Sequence, residues 1–254
     1  MSHTLFISDL HLTAERPHIN QQFFAFAEQV APKAEALYIL GDLFEYWAGD
    51  DDTEDSLNTG VSAALAKLAV GGVRVYLMHG NRDLLIGEAF AKRCKAQIIA
   101  DPTSIDLYGE HTLLMHGDTL CTDDIEYQKF RVYTHDPQTQ QQFLAQPLAV
   151  RHEQLRSMRK QSEASKTIKG AEIMDVSLAS VEMILREYHY PRLIHGHTHR
   201  PARHVHTVDG SICERWVLRD WCNSSSYLRC DANGCFTSES CTGISELTPR
   251  GAKF

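Results

Sequence analysis

"ALYILGDLFE" (Ala36–Glu45) is the stretch that decides how the rest of the chain is read. Its first five residues are apolar or aromatic, and the run stops abruptly at Gly41-Asp42. A run too short for a helix and closed by a polar turn reads as a buried strand with a carboxylate at its C-terminal end. Four other stretches have the same form. Leu5–Ser8 ("LFIS") runs into Asp9-Leu10-His11, and Val73–Met78 ("VRVYLM") leads into Gly80-Asn81-Arg82-Asp83. Thr112–Met115 ("TLLM") leads into His116-Gly117-Asp118, and Arg192–Ile194 ("RLI") into Gly196-His197-Thr198-His199. Between them, Gln21–Val30 and Thr59–Val70 have helical patterns, the second stopped by Gly71-Gly72. Strands alternating with helices predict an α/β layered core. From Val205 onward the chain reads as short strands joined by turns such as Asp209-Gly210 and Asn233-Gly234.

In open α/β sheets, ligands gather beyond the carboxyl ends of the strands, so five polar clusters at five such ends are expected to converge. D-x-H at a strand end sends a carboxylate and an imidazole the same way, because alternate residues share a face. Glycine beside each cluster lets the backbone come close or take a positive φ. The pooled donors are Asp9, His11, Asp42, Asn81, His116, His197 and His199. That is too many oxygen and nitrogen ligands for one ion, and it suits a pair. Carboxylate, amide and imidazole without thiolate favour manganese, iron or zinc over a thiolate-type zinc site.

Bulk properties fit this reading. The 254 residues carry a formal charge of −8, with 43% apolar and 23% charged residues, ordinary globular composition. No apolar run reaches the ~18–20 residues of a membrane span. The start lacks a basic region followed by a long apolar stretch, so no export signal is expected. The acidic balance argues against a general nucleic-acid binder. Of seven cysteines, Cys213, Cys222, Cys230, Cys235 and Cys241 crowd the end of the chain. Without an export signal they are expected to be thiols, and the lack of any C-x-x-C pair disfavours structural zinc.

Asp124–Lys169 breaks the alternation. It is helix-like and cationic: Lys129, Arg131, Arg151, Arg156, Arg159, Lys160, Lys166 and Lys169 outnumber its acids. Phe130, Tyr133, Phe143, Leu144, Leu148, Val150, Leu155 and Met158 add an apolar complement. We expect an inserted helical cap over 124–169, a discontinuous core over 1–123 and 170–240, and a flexible tail over 241–254. The alternative is a solvated helical pair, in which Arg151 and Arg156 are surface charges only.

"DLH", "GDLFE", "GNRD", "HGD" and "GHTH" together resemble the signature blocks of the calcineurin-like dinuclear metallophosphoesterases. That resemblance implies two stacked mixed β-sheets flanked by helices, which alternation alone does not separate from a doubly wound sheet. Many members read "GNHD" or "GNHE", whereas this chain has Arg82. Arg82, "WAGDDD" (Trp47–Asp52), "HGDTLCTDD" (His116–Asp124) and "LIHGHTHRP" (Leu193–Pro201) resemble one subgroup, the bacterial hydrolases of UDP-2,3-diacylglucosamine in lipid A synthesis. The resemblance covers about Thr4 to Pro201 and decays afterwards. "VLRDW" (Val217–Trp221) carries Arg219 where relatives have glycine, which hints at altered packing.

The resemblance implies a Mn²⁺-dependent hydrolysis of the pyrophosphate by water attack on the α-phosphorus, giving UMP and 2,3-diacylglucosamine 1-phosphate. Asp9, His11, Asp42 and His199 would hold one ion with Asp42 bridging, and Asn81, His116 and His197 would complete the second. Asn81, Arg82, Asp124, Ser162, Lys166, Lys169 and His197 would contact substrate, and His79 and His195 would be non-ligands. It also implies a peripheral protein on the cytoplasmic face of the inner membrane, meeting a lipid-linked nucleotide and an anionic bilayer. Residue chemistry adds that Arg82 cannot act as an acid and suits a bidentate grip on phosphate. Asp83 either orients Arg82 or a neighbouring ligand, or is a turn aspartate. Two alternatives remain open: a metallophosphodiesterase or nucleotide pyrophosphatase acting on a soluble substrate, and a non-catalytic scaffold of the same fold.

Overall fold

The structure is a computed structural model and describes residues 2–168, 175–222 and 224–239, with backbone only for 161–168 and 239. The chain opens with β1 (Thr4–Ile7), α1 (Pro17–Gln29), β2 (Ala36–Leu40), α2 (Ser56–Val70), β3 (Arg74–Met78), α3 (Glu88–Cys94) and β4 (Gln97–Ile99). A hairpin, β5 (Thr103–Leu107) and β6 (Glu110–Leu114), leads to three helices, α4 (Ile125–His135), α5 (Pro137–Leu144) and α6 (Leu148–Ile168). Then come α7 (Leu178–Glu187), β7 (Arg192–His195), β8 (Ala202–Val208), β9 (Ser211–Val217), β10 (Ser226–Asp231) and β11 (Gly234–Glu239).

These strands make two mixed sheets, ordered β11-β10-β1-β2-β3-β4 and β5-β6-β7-β9-β8. The period-2 alternation of each strand sorts its side chains into layers. Leu5 and Ile7 of β1, Leu37 and Ile39 of β2, and Val75 and Leu77 of β3 face α1, α2 and α3. Phe6, Leu40 and Met78 face the second sheet, where Leu114 and Ile194 meet them. Phe6, Tyr38 and Tyr76, partners in the β1–β2–β3 register, stack at centroid distances of 5.1 and 4.4 Å. On the far side, Leu113 and Leu193 pack with Val181 and Leu185 of α7. Burial on both faces explains why the central strands read as unbroken apolar runs. β4 and β5 escape a pattern search because one is three residues long and the other is half-exposed.

Helix starts follow their caps. α1 begins four residues before the apolar pattern because Pro17 occupies its first turn. Asp55 caps α2 by accepting the N–H of Asn58, which moves that start to Ser56.

Three expectations change. Cys230 and Cys235 face each other across the β10–β11 hairpin and are joined in a disulfide, so they are not thiols. The partnership follows from register, which spacing does not reveal. Arg219 is exposed while Leu218 and Trp221 on either side are buried, so its side chain leaves the packing at the sheet end undisturbed. Trp221 instead packs edge-on against Phe26 of α1 at 5.7 Å. Arg151 is no surface charge: it is 2% exposed and donates to the carbonyls of Ala48 and Gln146 and to Asp51. It fastens α6 to the loop after β2. Arg156 is exposed. Residues 241–254 lie outside the described residues.

Candidate metal centre

After β1, β2 and β7 the chain turns at the ligands through left-handed backbone. Asp9, His11, Asp42, His197 and His199 all take positive φ, between 50° and 66°. For residues with a Cβ this left-handed region is costly, and it persists where the surroundings impose it, characteristically at functional sites. Two glycines make the approach possible. A side chain at Gly80 would collide with Asp42 Oδ1, and one at Gly196 with Asp9 Oδ2. "GNRD" and "GHTH" therefore need glycine one residue before the donor.

The structure brings all seven predicted donors together. Ligand atoms of Asp9, His11 and His199 form one compact group, and those of Asp9, Asp42 and His116 form another. His11 Nε2 lies 3.3 Å from His199 Nε2 and 3.8 Å from Asp42 Oδ2. His116 Nε2 lies 3.9 Å from Asp42 Oδ1, so the Asp42 carboxylate spans both groups. Asn81 Oδ1 is 3.2 Å from His116 Nε2 and 3.0 Å from His197 Nδ1.

These residues fit cations. Asp9 is fully buried, and His199 Nε2 lies 3.5 Å from its Oδ1. Burial opposes its charge, but the hydrogen bond and charge of His199, with His116 and His11, hold its carboxyl far below the usual range. Burial alone would lower the His116 pKa, yet Asp42, Asp118 and Asp9 push it up to about 9. The ligand imidazoles are also fixed from behind. His116 Nδ1 donates to the carbonyl of Leu40 at 2.9 Å. His11 Nδ1 faces Glu45 Oε2 at 3.3 Å, and His199 Nδ1 faces Asp220 Oδ2 at 3.5 Å. Such partners leave Nε2 as the free donor and raise its basicity. Glu45 and Asp220 carry no role in the sequence reading; their only signal is membership of "GDLFE" and "VLRDW".

Asp83 has a definite place. It is 1% exposed and accepts the backbone N–H groups of Asp42 (3.2 Å), Leu43 (2.7 Å), Phe44 (3.3 Å) and Gly80 (2.9 Å). It thus sews the Asp42 turn to the Gly80 turn, and its carboxylate is spent on backbone rather than on Arg82. The Arg82 N–H donates to Asp42 Oδ1 at 2.8 Å, while its guanidinium reaches 3.8 Å from Glu45 at the mouth of a cleft.

That cleft, about 620 Å³, starts at Asn81 and Arg82 and runs between Trp47, Leu84 and Leu85 on one side and α4–α6 on the other. Phe130, Tyr133, Phe143, Leu155 and Met158 line its helical wall, and Arg159 and Glu45 pair across it at 3.3 Å. Helix α4 grips the turn after His116. Tyr127 Oη donates to Asp118 Oδ2 at 2.8 Å, Arg131 Nε donates to the same oxygen at 2.7 Å, and Gln128 donates to the carbonyls of Asp118 and Cys121. The Tyr127 ring also lies 5.6 Å from that of His197. Asp124 does not line the cleft: it is buried and caps α4 by accepting the Tyr127 N–H. The Ser162, Lys166 and Lys169 side chains lie outside the described residues.

His79 and His195 point away from the donors. A ring nitrogen of His79 lies 2.6 Å from the Ile86 carbonyl, and His195 is held between Gly196 and Arg215. Cys94 and Cys121 are buried, and burial pushes both thiols up to about 12, so neither is a nucleophile at neutral pH.

The calcineurin-like phosphoesterase family profile matches residues 2–201. A UDP-2,3-diacylglucosamine hydrolase of Aromatoleum aromaticum is 55% identical over 230 residues, covering 91% of this chain and 94% of its own. A protein of the same name from Xanthomonas axonopodis pv. citri is 51% identical, with 91% and 96% covered. Another from Pseudomonas aeruginosa is 48% identical, with 91% and 95% covered. With its five strand-end blocks converging between two mixed sheets, this chain belongs to the calcineurin-like phosphoesterase family.

Proposed function

We propose that the protein hydrolyses UDP-2,3-diacylglucosamine at the α-phosphorus, with two divalent ions, Mn²⁺ in the first place, giving UMP and 2,3-diacylglucosamine 1-phosphate. The observation that carries this reading is continuity. A seven-donor centre opens at Asn81 and Arg82 directly into a cleft with aromatic and aliphatic walls. A soluble nucleotide has no use for that wall, whereas each acyl methylene it covers gains about 0.8 kcal/mol.

In this reading Asp9, His11, Asp42 and His199 hold one ion, and Asp42, Asn81, His116 and His197 the other. Bound there, the ions supply Lewis acidity and an activated water near neutral pH. The chain's own residues do the rest. Arg82 grips phosphate oxygens bidentately and offsets charge on the departing phosphate. Asp83 holds the Asp42 and Gly80 turns in register, and Glu45 and Asp220 fix the rings of His11 and His199. Helices within 124–169 act as a cap over a core formed by 1–123 and 170–240. Arg151, Arg131 and Tyr127 fasten it, and the cleft beneath takes the acyl chains.

The same cap is the surface we assign to an anionic bilayer, placing the protein peripherally on the cytoplasmic face of the inner membrane. Ile125, Val132, Tyr133, Leu144 and Val150 are exposed on it, and α4 and α6 also carry the exposed cations Lys129, Arg156 and Lys160. Among the described residues no helix is long and apolar enough to cross a membrane.

The test is Mn²⁺-supplemented hydrolysis of the diacylated substrate with phosphorus products identified, run beside soluble UDP-sugars. UMP and the diacyl sugar phosphate are expected. Comparable turnover of unacylated UDP-sugars would remove the lipid assignment, and no turnover of any phosphoester would favour the scaffold.

A further inference from the structure

A second cavity, of about 320 Å³, touches the metal turn through Thr198, the residue between His197 and His199. None of its lining residues is among the seven donors. Its polar lining is Thr198, Arg200, His204, Arg215 and Asp175, with Val217 among its apolar walls. Arg215 is the unusual member. It stands on β9, is 6% exposed, and is permanently charged.

Its hydrogen bonds go to imidazoles. Nε donates to His206 Nε2 at 3.1 Å, and Nη1 donates to His195 Nε2 at 3.1 Å. To accept from a guanidinium, both ring nitrogens must be unprotonated. The one proton of His195 is committed through Nδ1 to the Gly196 carbonyl at 2.9 Å. Both rings therefore turn a bare nitrogen to the guanidinium. A buried cation is thus surrounded by dipoles, and among the described residues no carboxylate hydrogen-bonds to it.

The nearby acids are engaged or remote. Asp175, which lines the cavity, acts on Arg215 through its charge without a hydrogen bond, because its oxygens accept from Arg200 Nη1 at 2.5 Å and from the Val176 N–H at 2.8 Å. Glu182 acts on His206 only through its charge and pairs with Arg186. Thr198, which lines the cavity, has a buried Oγ1 without a hydrogen-bond partner among the described residues. Two guanidinium groups and an imidazole stand against the single carboxylate of Asp175, so a space large enough for a tetrahedral ion keeps a positive excess that calls for a further anion. Buried charges are ordinarily compensated by one.

We propose that this cavity is a second ligand site, taking a tetrahedral oxyanion of the inorganic phosphate class, separate from the metal centre. Arg215 and Arg200 supply planar donor forks, Thr198 donates its hydroxyl, and His204 gives a further ring donor. Because Thr198 joins two of the seven donors, the occupant rests against the backbone that carries them. The proposal does not depend on the substrate proposed above.

Calorimetric titration of the metal-loaded full chain with inorganic phosphate tests it. His116→Ala disables the metal centre, and the phosphate isotherm that remains in it is the signal of the second site. That signal is expected to weaken by about tenfold or more in His116→Ala/Arg215→Gln, the scale of a lost charged hydrogen bond. His116→Ala/His204→Ala, which alters a half-exposed ring and spares the buried cluster, is expected to weaken it several-fold, with circular dichroism confirming folding. No phosphate binding in His116→Ala overturns the proposal, as does binding unaffected by both second substitutions. A parallel titration with UMP distinguishes sources. If UMP alone binds, and needs Arg215, the cavity belongs to the nucleotide's own path and the separate site falls.

Discussion

Replacing Asp83 by alanine probes the architecture beneath the donors without touching one of them. The carboxylate accepts four backbone N–H groups, three in the Asp42–Phe44 turn and one at Gly80. At 1% exposure, water cannot readily replace it. Each buried donor left unsatisfied costs about 1–3 kcal/mol, so four give a loss of about 4 kcal/mol or more. That is a large part of the ~5–15 kcal/mol of a typical fold. For a chain of this size it corresponds to a melting temperature lower by roughly 8–16 °C. Asp83→Asn keeps one acceptor oxygen but turns an amide NH₂ toward two of the donors, so about half the loss is expected. Because the Asp42 carboxylate spans both donor groups, loosening its turn is expected to weaken metal binding about 10–100-fold. Thermal unfolding in chelator measures the first effect, and metal titration of the folded variant measures the second. A chelated Asp83→Ala protein melting within 2 °C of wild type would falsify the reasoning about stability. Undiminished metal affinity in either variant would refute the link to Asp42.

Asp118→Asn weakens the grip of Tyr127 and Arg131 on the His116 turn, so KM for a diacylated substrate should rise while metal content stays unchanged; a fall in metal content with unaltered KM counts against that role. Asp220→Asn leaves His199 in place but removes the charge behind its ring, and a 10–100-fold weaker metal affinity is expected in a metal titration. Asp101 accepts the His116 N–H, and burial together with Asp118 pushes its pKa up to about 6 from 3.8. The folded state thus binds the proton more tightly than the unfolded one. Its contribution is fully present below pH ~4 and is lost, by about 3 kcal/mol, as pH rises through 6. Asp101→Asn should flatten the melting temperature of the chelated protein between pH 4 and 7, and a profile parallel to wild type argues against it.

What the sequence by itself determined is the set of strand ends and the donors that follow them. Ala36–Leu40 is observed with the predicted bounds, and Asp9, His11, Asp42, Asn81, His116, His197 and His199 meet in one place. These features are legible because they are local: a doubly buried strand must be an apolar run, and a donor at its end must break that run. Tertiary structure alone decided which groups stand behind the donors. Asp83 and Asp42 are 41 residues apart, His199 and Asp220 pair from different loops, and Cys230 meets Cys235 only through hairpin register. Arg151 looks like any helical cation until the loop after β2 folds over it, and the cap that Asp124 gives α4 shows only in the folded chain. Each of these partnerships is a meeting of separate elements. The charge, polarity and size of a side chain specify what it can bind, but only the packed chain fixes which partner comes within reach.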